Sequence, residues 1–156
     1  MKYVILICFI LLAVAACNEP AKTSASQMAT DTTALNTQTT SVQEPLAAYR
    51  WKLKELEGKT IGDSINGQEP YISFNSADSS VGGRVGCNRF GGTYKMDGDS
   101  IRFSRFFSTK MACADMSVEN TFLGLIDSVN RFMANDKELH LMRNSDIVAI
   151  FEARPL

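Results

Sequence analysis

Residues 82–94 read GGRVGCNRFGGTY, and the glycines there constrain the fold more than any other feature of the chain. Five of them, Gly82, Gly83, Gly86, Gly91 and Gly92, fall within eleven positions. A phosphate loop sets glycines between a strand and a helix and carries Lys-Ser or Lys-Thr, so that the first helical amides face the phosphate. No such pair occurs in this stretch. The segment that follows, RFGGTYKM, places Phe90, Tyr94 and Met96 on one parity, which is a strand. Glycine inside a strand marks a bulge, a tight bend or close approach of another backbone. The stretch therefore predicts a sharply bent strand pair.

The neighbouring segments extend that pattern. In RWKLKELEGKTI, Trp51 and Leu53 alternate with Lys52 and Lys54, a half-buried strand that closes at Gly58. Asn66-Gly67 is a turn signal ahead of a strand through Ile72 and Phe74, and SADSS is a polar turn. Residues 97–99, DGD, form a tight turn into SIRF, where Ile101 and Phe103 alternate with Ser100 and Arg102. Beyond Cys113, Val118, Phe122, Leu125, Ile126, Val129 and Met133 follow helical spacing, which predicts one amphipathic helix covering a face or end of the sheet. Asp115 or Ser117 can cap its start, with Glu119 in its first turn. ELHLM and IVAIFEA are two further strands joined by RNSD. No βαβ alternation occurs, so the expected class is α+β and mostly β. The expected architecture is a small antiparallel curved sheet or partly closed β-barrel with one amphipathic helix.

The chain begins MKYVILICFILLAVAAC. Its apolar run from Tyr3 to Ala16 suits a secretory signal and is short for a membrane span of roughly 20 residues. The run ends in Val14-Ala15-Ala16-Cys17, which resembles a bacterial lipobox. That predicts a signal peptide over 1–16 and a lipid-modified Cys17, an ordinary secretory signal being the alternative. Acyl chains on Cys17 would anchor the protein to a membrane without spanning it. Asn18 in place of Asp resembles, by enteric sorting rules, an outer-membrane lipoprotein. Residues 17–49 are rich in Thr, Ser, Ala, Gln and Asn and are expected to form a disordered tether with a reach of roughly 30 Å. The domain is then expected at 50–156.

Removal of Lys2 with the signal leaves 15 basic against 17 acidic residues, which is no nucleic-acid-binding balance. Apart from Cys17, only Cys87 and Cys113 remain, and in an exported domain a disulfide between them is the default, two buried free thiols being the rival. A thiol nucleophile needs an activating partner, and the single histidine, His140, shares a strand face with Glu138 and Met142 as an exposed structural residue. Cys87, Cys113 and His140 lack metal-ligand spacing, so no metal, cofactor or catalytic set is expected. Arg84, Arg89, Arg102, Arg105 and Lys110 could meet an anion if they clustered, or form a solvated face. Asn88 reads as a turn-capping amide or a ligand contact.

Several motifs in one order resemble the META domain of the HslJ type across residues 50–153. They are Gly86-Cys87-Asn88, then Gly91-Gly92-Thr93-Tyr94, then Ser108-Thr109 with Met111 and Cys113, and a helix with an early Glu119. The Trp51-Lys52-Leu53 start fits as well. The resemblance implies a small bacterial envelope protein, often a lipoprotein, with a mostly antiparallel β-structure and one helix. Some members are associated with heat-shock induction or drug tolerance, and no catalytic residues carry over. The expected function is a non-enzymatic, lipid-anchored envelope protein. It would be monomeric and would bind an unidentified envelope protein or small ligand in envelope maintenance or stress tolerance. The alternatives are a thiol–disulfide redox protein using Cys87 and Cys113, and an inhibitor of an exported hydrolase.

Overall fold

The computed structural model describes residues 43–156. Within them a β-meander closes on itself. The strands are β1 (Tyr49–Leu56), β2 (Lys59–Thr60), β3 (Tyr71–Asn75), β4 (Ser80–Arg84), β5 (Arg89–Asp97), β6 (Ser100–Ser108), β7 (Arg131–Ala134), β8 (Glu138–Arg143) and β9 (Asp146–Pro155). Each pairs antiparallel with its neighbour in the order β2-β1-β3-β4-β5-β6-β7-β8-β9. β1 then pairs with β9, from Tyr49 opposite Pro155 to Leu56 opposite Ala149, so eight strands form a closed barrel and β2 is a short flap on β1. Full closure goes beyond the partly closed sheet expected from sequence, and it removes the open edges that would otherwise template aggregation. The tight turns fall where the sequence signals them. Asn66 and Gly67 both take positive φ, at 51° and 74°, and Gly98 takes 58°.

Inward-facing residues alternate along the strands and fill the barrel. Trp51, Leu53, Ile72, Tyr94, Ile101, Phe132, Leu139, Leu141 and Phe151 are buried in one continuous core. Phe74 meets the ring of Tyr94 edge-on at 5.2 Å. A helix, α2 (Ser117–Leu125), with one 3₁₀ turn (Ile126–Ser128), seals the end of the barrel marked by Leu56. Its Phe122 packs 5.5 Å from Phe90 and 6.3 Å from Phe151, centroid to centroid.

Four sequence expectations change. The helix was expected to run to Met133; it ends at Leu125, and Val129 is extended at φ −68° and ψ 128°. Arg131–Ala134 is strand β7, with Phe132 buried and Met133 exposed. The stripe through Val129 is real, but barrel closure needs a strand between β6 and β8, and the alternation in RFMA supplies it. The SIRF strand continues to Ser108, across a bulge at Arg105 with φ 56°. Lys52, expected on a solvated face, is 5 % exposed. The loop after β2 covers it, and its Nζ bonds Asp63 Oδ1 at 2.6 Å. That bond, with the nearby Lys54 charge, holds the Asp63 carboxyl below its ordinary value.

The fourth change is the domain boundary. The signal peptide 1–16, Cys17 and most of the 17–49 tether lie outside the described residues. The last part of that tether is ordered as helix α1 (Gln43–Ala48). Leu46 is wholly buried, and its carbonyl accepts a 2.9 Å bond from Trp51 Nε1. A polar composition across 17–49 hides one leucine that an indole N–H and a core pocket recruit. Replacing Leu46 by Ala should therefore cost about 2–5 kcal/mol in urea unfolding, as for other buried leucines, with no effect expected if α1 were dispensable.

Candidate functional site

Three segments distant in sequence meet at the α2 end of the barrel: the β4–β5 loop, the 109–113 segment and the first turn of α2. The loop residues 85–88 are buried throughout. Gly86 faces the helix so closely that a Cβ on it would lie 2.8 Å from Glu119 Cβ, which is why glycine stands there. Next to it, Cys87 forms a disulfide with Cys113, with Cα atoms 6.0 Å apart. The loop closed by this bond spans 26 positions, for which the chain-entropy estimate is about 3.5 kcal/mol.

Asn88 is the centre of the arrangement and is 3 % exposed. Its Nδ2 donates to Glu119 Oε1 at 2.8 Å and to the Met111 carbonyl at 3.2 Å. Its Oδ1 accepts from Thr109 Oγ1 at 2.8 Å and from Met111 N at 2.7 Å. Two donors and two acceptors satisfy a carboxamide completely. The backbone N–H of Asn88 donates to Glu119 Oε2 at 2.7 Å. Thr109 is further tied to β5, because its N–H donates to the Arg89 carbonyl at 2.9 Å and its Oγ1 accepts from Arg89 N at 3.2 Å. Glu119 is likewise 3 % exposed, and both of its oxygens accept bonds from Asn88. The network has no vacant valence on Asn88 for a ligand, so of the two sequence readings of this residue the structural one holds.

The helix start is pinned separately. Asp115 Oδ1 accepts from Ser117 N at 2.9 Å and from Ser117 Oγ at 2.6 Å, and these bonds hold its carboxyl below the ordinary value. The N-cap position itself is Met116, which makes no side-chain cap. Asn66 Nδ2 donates to the Asp115 carbonyl at 2.7 Å, which joins the turn before β3 to the helix.

Of the sequence-derived site residues, Gly86, Cys87, Asn88, Thr109, Met111, Cys113 and Glu119 therefore come together. Tyr94 and Gly91 do not. Tyr94 lies in the core, with its hydroxyl 3.4 Å from the Asn75 carbonyl. Gly91 is on the outer wall beneath Phe107, where a Cβ would come within 2.6 Å of the ring. His140 is half-buried rather than exposed. Its Nε2 lies 3.0 Å from Glu138 Oε2, while Nδ1 is enclosed without a hydrogen-bond partner. Among the described residues, no group of three His, Cys, Asp or Glu side chains is placed to hold a metal ion.

Two features escaped the sequence. Phe107 is 70 % exposed, and periodicity alone would not distinguish it from Phe106, which turns inward. Among the described residues, the aromatic side chains of Trp51, Tyr94, Phe132 and Phe151 fill the barrel lumen. The void between α2 and the barrel, lined by Leu56, Phe122, Ile126, Leu141 and Val148, measures about 10 Å³, and its apolar lining offers an ordered water no partner. A shallow groove of about 300 Å³ lies over the network beside Lys110, Met116 and Asn120.

A family model described as the META domain matches residues 44–155. Three solved structures share the fold at TM-scores from 0.57 to 0.54. One, described only as an NMR structure of the protein, is 22 % identical, covering 70 % of this chain and 92 % of its own. An NMR structure of a protein from Burkholderia xenovorans is 20 % identical, covering 72 % and 86 %, at a TM-score of 0.56. A crystal structure of a DUF4847 family protein from Bacteroides vulgatus is 18 % identical, covering 74 % and 99 %. No curated protein matches the chain.

The network makes a quantitative demand. Glu119→Ala leaves two buried donors of Asn88 without an acceptor and should cost about 3 kcal/mol in urea unfolding. Glu119→Gln, which turns one acceptor into a donor facing Asn88, should recover no more than half of that. A loss below about 1 kcal/mol for the alanine variant would mean that the network does not hold the helix.

Proposed function

The chain belongs to the META domain family, and on that footing we propose that it is a lipid-anchored cell-envelope protein. It acts without catalysis, through binding at its outer surface, in envelope maintenance or stress tolerance. The observation that carries this is the filled barrel. An eight-stranded barrel is wide enough either to pack its own side chains or to hold one small ligand. Here Trp51, Tyr94, Phe122, Phe132 and Phe151 occupy the interior. Binding chemistry is thereby pushed to the outer wall and the loops.

The signature supports the same conclusion. Asn88, Glu119 and Thr109 are the residue types a hydrolytic site would use, and their polar groups bond to one another. The Cys87–Cys113 bond ties the β4–β5 loop to the segment before α2 in the same structural unit, with Cys87 buried and Cys113 half-buried. The lipobox-like Val14-Ala15-Ala16-Cys17 and the long polar segment after it support export, acylation and a tether.

Intact mass spectrometry of the protein from its native envelope should show a chain beginning at an acylated Cys17. Cys17→Ser should leave the membrane fraction, and a full-length unmodified chain in that assay would remove the anchor from the proposal. A deletion strain should be sensitive to heat, oxidative or antibiotic challenge. Titration in a glutathione buffer should leave the Cys87–Cys113 pair oxidised at the cytosolic glutathione poise, whereas a redox-active pair would open there.

A further inference from the structure

The cations of the domain are unevenly placed. Residues 80–110 carry Arg84, Arg89, Lys95, Arg102, Arg105 and Lys110 against Asp97 and Asp99, a net charge of +4. Residues 43–156 together carry 14 basic and 15 acidic side chains, a net charge of −1. Elsewhere six of the eight described cations have acidic partners, Arg50 with Glu69, Lys52 with Asp63, Lys54 and Arg154 with Glu152, Arg131 with Asp99 and Arg143 with Glu57, while Lys59 and Lys137 have none among the described residues. None of the six cations of 80–110 takes part in an ion pair among the described residues.

Strand register sharpens the asymmetry. Arg84 stands directly opposite Arg89 on β4 and β5, and Lys95 directly opposite Arg102 on β5 and β6. Like charges directly opposite destabilise a strand pair. Two such pairs on one face, with Asp78 and Asp97 the nearby acids outside any ion pair among the described residues, run against what folding alone favours. They point to an anion that this face meets. The bulge at Arg105 adds to it, because Ser104 and Arg105 are then both exposed before Phe106 returns inward.

Between the two cationic pairs the wall is nearly bare. Gly82 opposes Gly91, and Ser80 opposes Thr93. Phe107 lies on Gly91 with its ring projecting from the wall. Arg89 and Lys95 are six residues apart on one strand, roughly 20 Å. The outside of a closed barrel is convex, and the concavity of about 320 Å³ beside Lys95, Asp97 and Arg102 is shallow and open, so this face fits a broad surface better than an enclosed small molecule. An exposed aromatic ring among unpaired cations suits a bilayer, where the ring reaches the headgroup boundary and the cations meet phosphates. Met111, 53 % exposed, and Lys110 continue the same composition just beyond β6.

We propose that the outer face of β4–β6 docks the domain on an anionic phospholipid bilayer, with Phe107 at the headgroup boundary and Arg84, Arg89, Lys95 and Arg102 against phosphates. The inference rests on the proposed binding at the outer surface and deepens it by naming the partner; it does not need acylation of Cys17. A lipid tether would raise the local concentration of bilayer, so a weak face suffices.

The test sediments the chain from Cys17 onward, carrying Cys17→Ser so that no acyl group contributes. The vesicles are phosphatidylcholine alone or phosphatidylcholine mixed with phosphatidylglycerol. Binding is expected to the mixed vesicles only, and it should weaken as salt is raised. Arg89→Glu with Arg102→Glu should lower the partition about tenfold or more, and Phe107→Ser severalfold. Lys137→Glu, between β7 and β8, should leave it unchanged. Thermal unfolding of each variant checks that the barrel is intact. Equal binding to neutral vesicles, an unchanged partition in the double reversal, or binding to soluble polyphosphate with none to vesicles would each overturn the inference. Vesicle binding by this unacylated chain, alongside a native protein that proves unacylated, would sink the anchor and leave the docking face standing.

Discussion

A buried carboxylate and a buried carboxamide hold this structure in register. Enclosing a carboxylate such as Glu119 is unfavourable unless donors replace its water. Asn88 supplies two of them, from its backbone and its side chain, and in return has all its own side-chain groups satisfied by Thr109, Met111 and Glu119. The consequence reaches further than the four residues. α2 has nine residues and no side-chain cap at its N-cap position, so its intrinsic stability is marginal. Its position comes from Glu119 and from the Asp115–Ser117 and Asn66 bonds at its start. With α2 in place, Phe122 and Ile126 close the end of the barrel.

Glycine does the complementary work of making room. Gly86 lets the β4–β5 loop approach the helix to bonding distance of Glu119. On β5, Gly91 and Gly92 leave both faces of the wall without a side chain. β6 lays Phe107 over the outer gap and Phe106 over the inner one, where a Cβ on Gly92 would sit 2.8 Å from the ring. The inner ring stacks on Phe90 at 5.7 Å. One glycine pair thus couples core packing to an exposed aromatic residue. The bulge at Arg105 sets which of the two phenylalanines faces which way.

The meander was legible because its turns are chemically explicit. Asn66-Gly67, Asp97-Gly98-Asp99 and Asn144-Ser145 each interrupt clear alternation. Closure was less legible, since the β1–β9 pairing joins residues about a hundred positions apart and leaves no local trace. Helical spacing at 118–133 was read correctly as far as Leu125 and then overrun, because short apolar runs fit either period and pairing with β8 decided the outcome. Leu46 and Lys52 were misplaced for one reason. Composition reports what a residue prefers, while burial also depends on which partner, here Trp51 or Asp63, can meet its polar neighbour. At the α2 end, the resemblance named the residues but not their roles. Their spacing along the chain carries no sign that Asn88 and Glu119 satisfy each other.

That division between naming residues and explaining them bears on where function lies. Most of the signature residues are consumed in building the barrel end, Tyr94 joins the core residues in filling the lumen, and Gly91 makes room for Phe107. A fold shared at 18–22 % identity leaves most side chains free to differ. Two domains that share the Asn88–Glu119 arrangement therefore share a scaffold and need not share a partner. What distinguishes one from another must be carried by side chains the scaffold does not need. On this barrel the clearest of these are the cations that face one another across β4, β5 and β6 and the phenylalanine between them. Their placement weakens the sheet slightly and leaves a large apolar side chain in water. A fold selected for stability alone would remove both with single substitutions, without disturbing the core or the network at the helix.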